Sequence, residues 1–264
     1  MGGVITSRVI VQRLSSYEWL GCSRILDDKQ VFVVARLLYA LRQSIDDLKA
    51  YYGILTTLSV IPGYVHPRFC PFISSFHDAG TERVVNFTYI APLELDPRCV
   101  TFKAVRQDTR ETIVVKFVRR YGKEAHEWMA EHGYAPRLIR FEALGPDCDD
   151  MRMAVMNYVT GHTLQTLYPD KLPPDVRNGI ESALDVLISG GFVFGDLRKQ
   201  NVMLEDGLDP IASRIRFIDF DWAGKEEPDL RYPFHISSFV RDVSGASEYV
   251  QISREHQNRM LESL

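Results

Sequence analysis

Phe194-Gly195-Asp196-Leu197-Arg198-Lys199-Gln200-Asn201-Val202-Met203 is the stretch on which the fold turns. It sets an acid, Asp196, five positions ahead of an amide, Asn201, directly after the apolar run Phe192 to Phe194. Asp and Asn each cap turns readily, so either one taken singly says little. The surroundings say more. Upstream, Pro174 to Gly190 carries Val176, Ile180, Ala183, Leu184, Leu187 and Ile188 on one helical face, with Pro ahead and a Gly pair behind. Downstream, Val202 to Leu204 and Arg214 to Ile218 read as short strands, the second setting Ile215 and Phe217 against Arg214 and Arg216. Ile218-Asp219-Phe220-Asp221-Trp222-Ala223-Gly224 follows at once and adds two further acids.

Toward the N-terminus the pattern becomes β-rich. Val84 to Ala91, Val100 to Arg106 and Thr112 to Val118 predict a three-stranded meander, its turns marked by Asp-Pro and Asp-Thr. Lys116 is the one charged residue in the otherwise apolar last strand. A short helix is expected over residues 123 to 132, closed by Gly133, then a strand from Met151 to Asn157. Farther upstream, Val34, Leu37, Leu38, Leu41, Ile45, Leu48 and Tyr52 recur at helical spacing within residues 27 to 53. Pro62, Gly63, Pro67 and Pro71 then mark an irregular connection. Residues 1 to 80 therefore read as a helical N-terminal extension, and Ser253 to Leu264 as a closing helix.

Gly195-Asp196 to Asn201, with its D-x-x-x-x-N spacing, and Asp219-Phe220 resemble the catalytic loop and magnesium-binding acid of the protein kinase-like superfamily. Gly-Asp-Leu-Arg is closer to the divergent branch that includes aminoglycoside and choline phosphotransferases and atypical small kinases. The strings FGDLRKQNVM and IDFDWAG are similar to those of fungal protein-kinase-like proteins. The resemblance implies an α+β, bilobal fold. Its N-lobe would span 81–157, as a sheet plus one helix, and its reduced, mainly helical C-lobe 158–264.

The function implied is an ATP- and Mg2+-dependent phosphotransferase acting on a hydroxyl of a protein or small molecule. Such chemistry asks a protein to hold phosphates, place magnesium and align the acceptor beside a carboxylate. On that resemblance Asp196 orients the acceptor hydroxyl, and Asn201 and Asp219 hold magnesium. Thr112-Ile-Val-Val-Lys116 resembles the strand whose lysine grips nucleotide phosphates. Glu124, opening the next helix only eight positions on, is the expected partner of Lys116, with Glu127 as rival. Met151 to Gly161 resembles the inter-lobe hinge, with Met156 as gatekeeper and the backbone of Asn157 and Val159 toward adenine.

Several positions depart from that family. No G-x-G-x-x-G loop is present, and the corresponding turn, Leu93 to Arg98, offers Arg98 as a substitute phosphate contact. Asp-Phe-Gly becomes Asp219-Phe220-Asp221, a third carboxylate that could bind metal or amides. No Ala-Pro-Glu follows, and only 43 residues remain after Asp221, too few for a full peptide-binding platform. A pseudokinase, binding nucleotide or acting as a scaffold, is the alternative reading.

Composition narrows the rest. The 264 residues, 45% apolar and 25% charged, can bury a real core. A net charge of -4 gives no general attraction to nucleic acid or anionic lipid. Cys22, Cys70, Cys99 and Cys148 lack metal or disulfide-framework spacing, and no apolar run reaches membrane-spanning length. A soluble, cytoplasmic protein is expected. His126, His132 and His162 lack zinc-site spacing and read as surface or helix-packing residues. Trp128, Trp222 and the aromatic residues Phe32, Tyr39, Tyr51 and Tyr52 read as packing residues too.

Overall fold

The computed structural model of the chain describes residues 2–5, 9–12, 28–54, 70–78, 80, 83–94, 100–145, 148, 150–207 and 209–264. The chain divides into two compact units, Met1–Phe72 and Ile73–Leu264. In the first, β1 (Gly2–Ile5) and β2 (Val9–Gln12) pair antiparallel, and α1 spans Asp28–Gly53 where the helix is expected. The connection through Pro62, Gly63 and Pro67 lies outside the described residues, as does Arg98. Among the described residues no helix is long and apolar enough to cross a membrane.

The second unit begins with β3 (Ser75–His77), β4 (Val84–Pro92), β5 (Thr101–Arg106), β6 (Thr112–Val118), α2 (Lys123–Glu131), β7 (Leu138–Ala143) and β8 (Arg152–Asn157). The strands form one antiparallel sheet in the order β3-β4-β5-β6-β8-β7. β3 falls within the stretch 1–80 expected as an extension, yet Ser75 pairs with Asn86 and the strand belongs to the sheet. β7 is unforeseen in sequence because Arg140 and Glu142 interrupt a half-buried edge strand. Period-two alternation sorts the faces: Phe87, Phe102, Ile113, Val115, Phe117 and Val155 form one buried cluster. Lys116 lies on the opposite face of β6 from Ile113, Val115 and Phe117.

The chain continues with β9 (Gly161–Thr163), α3 (Leu164–Leu167), α4 (Pro174–Ser189), β10 (Phe192–Val193), a 3-10 turn at Lys199–Asn201 and β11 (Val202–Glu205). α5 (Ile211–Arg214), β12 (Ile215–Phe217), β13 (Gly224–Lys225), α6 (Ser238–Ser244) and α7 (Arg254–Ser263) complete it. β12, β11 and β9 make a small antiparallel sheet, and β10 pairs with β13. α4 opens with Pro174 at its first position, where a missing N–H costs nothing. It buries Val176, Ile180, Ala183 and Leu187 in a second cluster with Phe194, Phe217 and Phe220. α6 is closed at both ends: the Ser237 hydroxyl accepts from the Val240 amide, and Gly245 ends it at φ 71°. The result is a mixed α+β chain with two apolar clusters inside its second unit.

Candidate active site

Gly195 dictates where the acid-amide loop lies. Its φ is +78°, and a Cβ there would sit 2.6 Å from the Trp222 carbonyl oxygen, so only glycine lets the loop pack on the segment after β12. Asp196 follows, 5% exposed, and Arg198 clamps its carboxylate with two hydrogen bonds, Nε to Oδ1 at 2.6 Å and Nη2 to Oδ2 at 2.5 Å. Asn201 donates from Nδ2 to the Asp196 carbonyl at 3.0 Å, and its own carbonyl accepts from the Ile218 amide at 2.9 Å. With Nδ2 committed to the turn, Oδ1 is the atom on offer to a cation.

Asp219 emerges just beyond β12 at φ +67°, a left-handed conformation that Asp tolerates better than most residues but at some cost. Phe220 behind it is fully buried, stacked on His126 of α2 at 4.5 Å and edge-on to Phe194 at 5.3 Å. The Gly122 amide, at the start of α2, donates to the Phe220 carbonyl at 2.8 Å. A Cβ on Gly122 would approach the Ala223 carbonyl oxygen to 2.3 Å. α2 is thus docked tightly on residues 220 to 223. His126 is held at both nitrogens: Nε2 donates to the Pro136 carbonyl at 2.7 Å, which leaves Nδ1 to accept from the Tyr121 hydroxyl at 2.6 Å.

Lys116 joins these elements. It is 7% exposed, and its Nζ donates to Asp219 Oδ1 and to Asp221 Oδ1, each at 2.6 Å. Burial would depress the ammonium's pKa, but the two carboxylates outweigh it and the value is raised. Burial likewise opposes the Asp219 charge, and Lys116 overrides it, holding that carboxyl below its ordinary value. Asp221 moves the other way, up to about 7, because burial and the neighbouring Asp219 charge outweigh Lys116. Asp196 is also raised by burial, against the pull of Arg198. Three carboxylates thus surround one ammonium and one guanidinium, an arrangement suited to attracting further cationic charge.

Glu124 is elsewhere. It is exposed, and it lines a cavity of about 520 Å³ with Arg120, Lys225, Glu227, Asp229 and Leu230. Lys116 makes its ion pairs with Asp219 and Asp221, and Glu127 pairs with Lys123 at 3.6 Å, so neither helix acid holds the lysine. The reason is the phase of α2, which turns Ala125, His126 and Met129 inward. Asp221 takes the position sequence reasoning gave to the helix acid. Its presence as a third carboxylate was legible, but its contact with Lys116 was not, because 105 positions separate the two.

Met156 is 5% exposed and Val159 7%. The Asn157 amide is committed to the Arg137 carbonyl at 3.0 Å and is not on offer to a base. Lys103, Val114 and Met156 stand opposite one another across β5, β6 and β8. The Lys103 ammonium lies 4.0 Å from the centre of the Tyr158 ring, a cation-π contact beside the expected hinge that sequence reading missed. Trp128 and Trp222 pack against the α4 cluster, in keeping with their expected packing role. Among the described residues no three His, Cys, Asp or Glu side chains form a ready-made metal cage. Magnesium needs none: one or two protein oxygens, phosphates and water complete its shell, and the Asp219 carboxylate and Asn201 amide oxygen are hard donors of that kind.

No protein-family model matches the chain. No curated protein matches it either. Among solved structures, the Cydia pomonella granulovirus kinase PK-1 is similar at a TM-score of 0.49 and 13% identity, covering 66% of this chain and 65% of that one.

Proposed function

We propose that the chain is a bilobal, kinase-like phosphotransferase that moves the ATP γ-phosphate to a hydroxyl on a protein or small molecule. The observation that carries this reading is the convergence of Lys116, Asp219 and Asp221 at 2.6 Å, although more than 100 positions separate the lysine from the acids. The antiparallel sheet around β6 supplies the lysine, and the loop after β12 supplies the acids. Between them a nucleotide would sit against Met156, with the Asn157 carbonyl and the Val159 backbone toward its base.

Lys116 would bind phosphate oxygens. Asp196 would hold the acceptor hydroxyl and take up its proton; burial raises its pKa, and Arg198 opposes that rise and orients the carboxylate. Magnesium, when bound through Asn201 and Asp219, would neutralise phosphate charge. One observation favours the pseudokinase alternative: both Asp196 oxygens are engaged by Arg198.

Thermal unfolding with ATP, with and without magnesium, tests the reading, since a ligand that binds only the folded chain raises its midpoint. A magnesium-dependent rise that disappears in Asp219→Ala is expected, together with ATP turnover lost in Asp196→Asn. Nucleotide binding without turnover would select the pseudokinase, and no response to nucleotide would end both.

A further inference from the structure

We infer that Asp221 is the positioning residue for Lys116, in the role expected of a helix glutamate; this rests on the nucleotide reading above. A lysine 7% exposed cannot stay charged without a counter-ion. The structure provides two, Asp219 and Asp221, each 2.6 Å from Nζ. Their duties differ once nucleotide and metal arrive. Asp219 is the hard donor that a cation would claim, and the lysine then keeps Asp221 alone. That single pair aims the ammonium at the phosphates.

Glu124 cannot take over by a rotation of α2. The helix is pinned at its start by the Gly122 amide on the Phe220 carbonyl, and by an approach to Ala223 too close for any Cβ. Its inward face is fixed by His126, bonded at both nitrogens and stacked on Phe220. Turning Glu124 inward would expel His126 from that seat. Lysine positioning therefore belongs to residues 219 to 221, and movement of α2 does not switch it.

The experiment compares Asp221→Asn, Asp221→Glu and Glu124→Gln in the full chain, titrated with ATP and with adenosine, which lacks phosphates. Asp221→Asn should weaken ATP binding about tenfold, the scale of one charge-assisted hydrogen bond, and leave adenosine within about twofold. Asp221→Glu should recover much of the loss, and Glu124→Gln should behave as wild type. Equal loss of both ligands, no loss, or an ATP-selective loss in Glu124→Gln overturns the assignment.

A ligand-free measurement separates this inference from the reading beneath it. Denaturant midpoints of Lys116→Met, Asp221→Asn and the double variant should be non-additive, whereas Lys116→Met with Glu124→Gln should be additive. ATP binding by wild type with an additive Lys116/Asp221 cycle sinks the positioning role alone. A wild type that binds neither ATP nor adenosine sinks the nucleotide reading and the positioning role together.

Discussion

Gly195, Asp219 and Arg198 show how narrowly single positions define the site. Gly195 combines a left-handed backbone with a 2.6 Å approach to the Trp222 carbonyl, so Gly195→Ala meets both strain and collision. A loss of about 2 kcal/mol in urea unfolding is expected, with Asp196 displaced from the cluster. Arg198 clamps Asp196 through two charged hydrogen bonds, at 2.6 and 2.5 Å. Removing it leaves a buried carboxylate whose pKa burial has already raised. In Arg198→Met the Asp196 pKa should rise further, so under the proposed phosphotransfer the acid limb of the pH-rate profile should move to higher pH. A limb that stays in place would show that Arg198 does not tune this acid. The Asp196 to Asn201 spacing was readable because it is local. The Arg198 clamp was not, since Arg is compatible with solvent at that spacing.

α2 is the element on which sequence reading and structure part. Its end was legible from Gly133, and it spans Lys123–Glu131 against the expected 123 to 132. Its rotational phase was not, because a nine-residue helix with a buried histidine gives no clear apolar stripe. The consequence can be measured. Burial lowers the His126 pKa to about 4 and keeps the ring neutral. The sign follows: the unfolded imidazole, with a pKa near 6.5, takes up a proton first, so stability is full above that value. It is lost as pH falls from about 6.5 to about 4, by about 3 kcal/mol in all. The midpoint advantage of wild type over His126→Gln should therefore shrink as pH falls through that window, while the Asp221 carboxyl, held up to about 7, acts in the opposite sense in both proteins. Equal slopes would show that other groups govern the acid response.

The described chain keeps two separate apolar clusters in its second unit, one beneath the β4-β5-β6-β8 sheet and one around α4. Ile113 and Leu187, both fully buried, belong to different clusters. Ile113→Val should cost about 1 kcal/mol and Leu187→Ala about 3 kcal/mol, and their sum should hold within about 0.5 kcal/mol in the double variant. Phe194→Ala with Phe220→Ala, whose rings lie 5.3 Å apart, should depart from additivity by more than that. Additive behaviour of the aromatic pair would deny that they act as one unit. Sequence alone settled what is periodic or local: the meander, the α4 face, the 27 to 53 helix and the acid-amide loop. Those signals are written in spacings of two, in spacings of three to four, or within a single turn. Tertiary structure decided the edge strands β3 and β7, the inward face of α2 and the partner of Lys116. Each of these depends on which side chains distant in sequence compete for one buried volume, and on which carboxylate reaches the ammonium first.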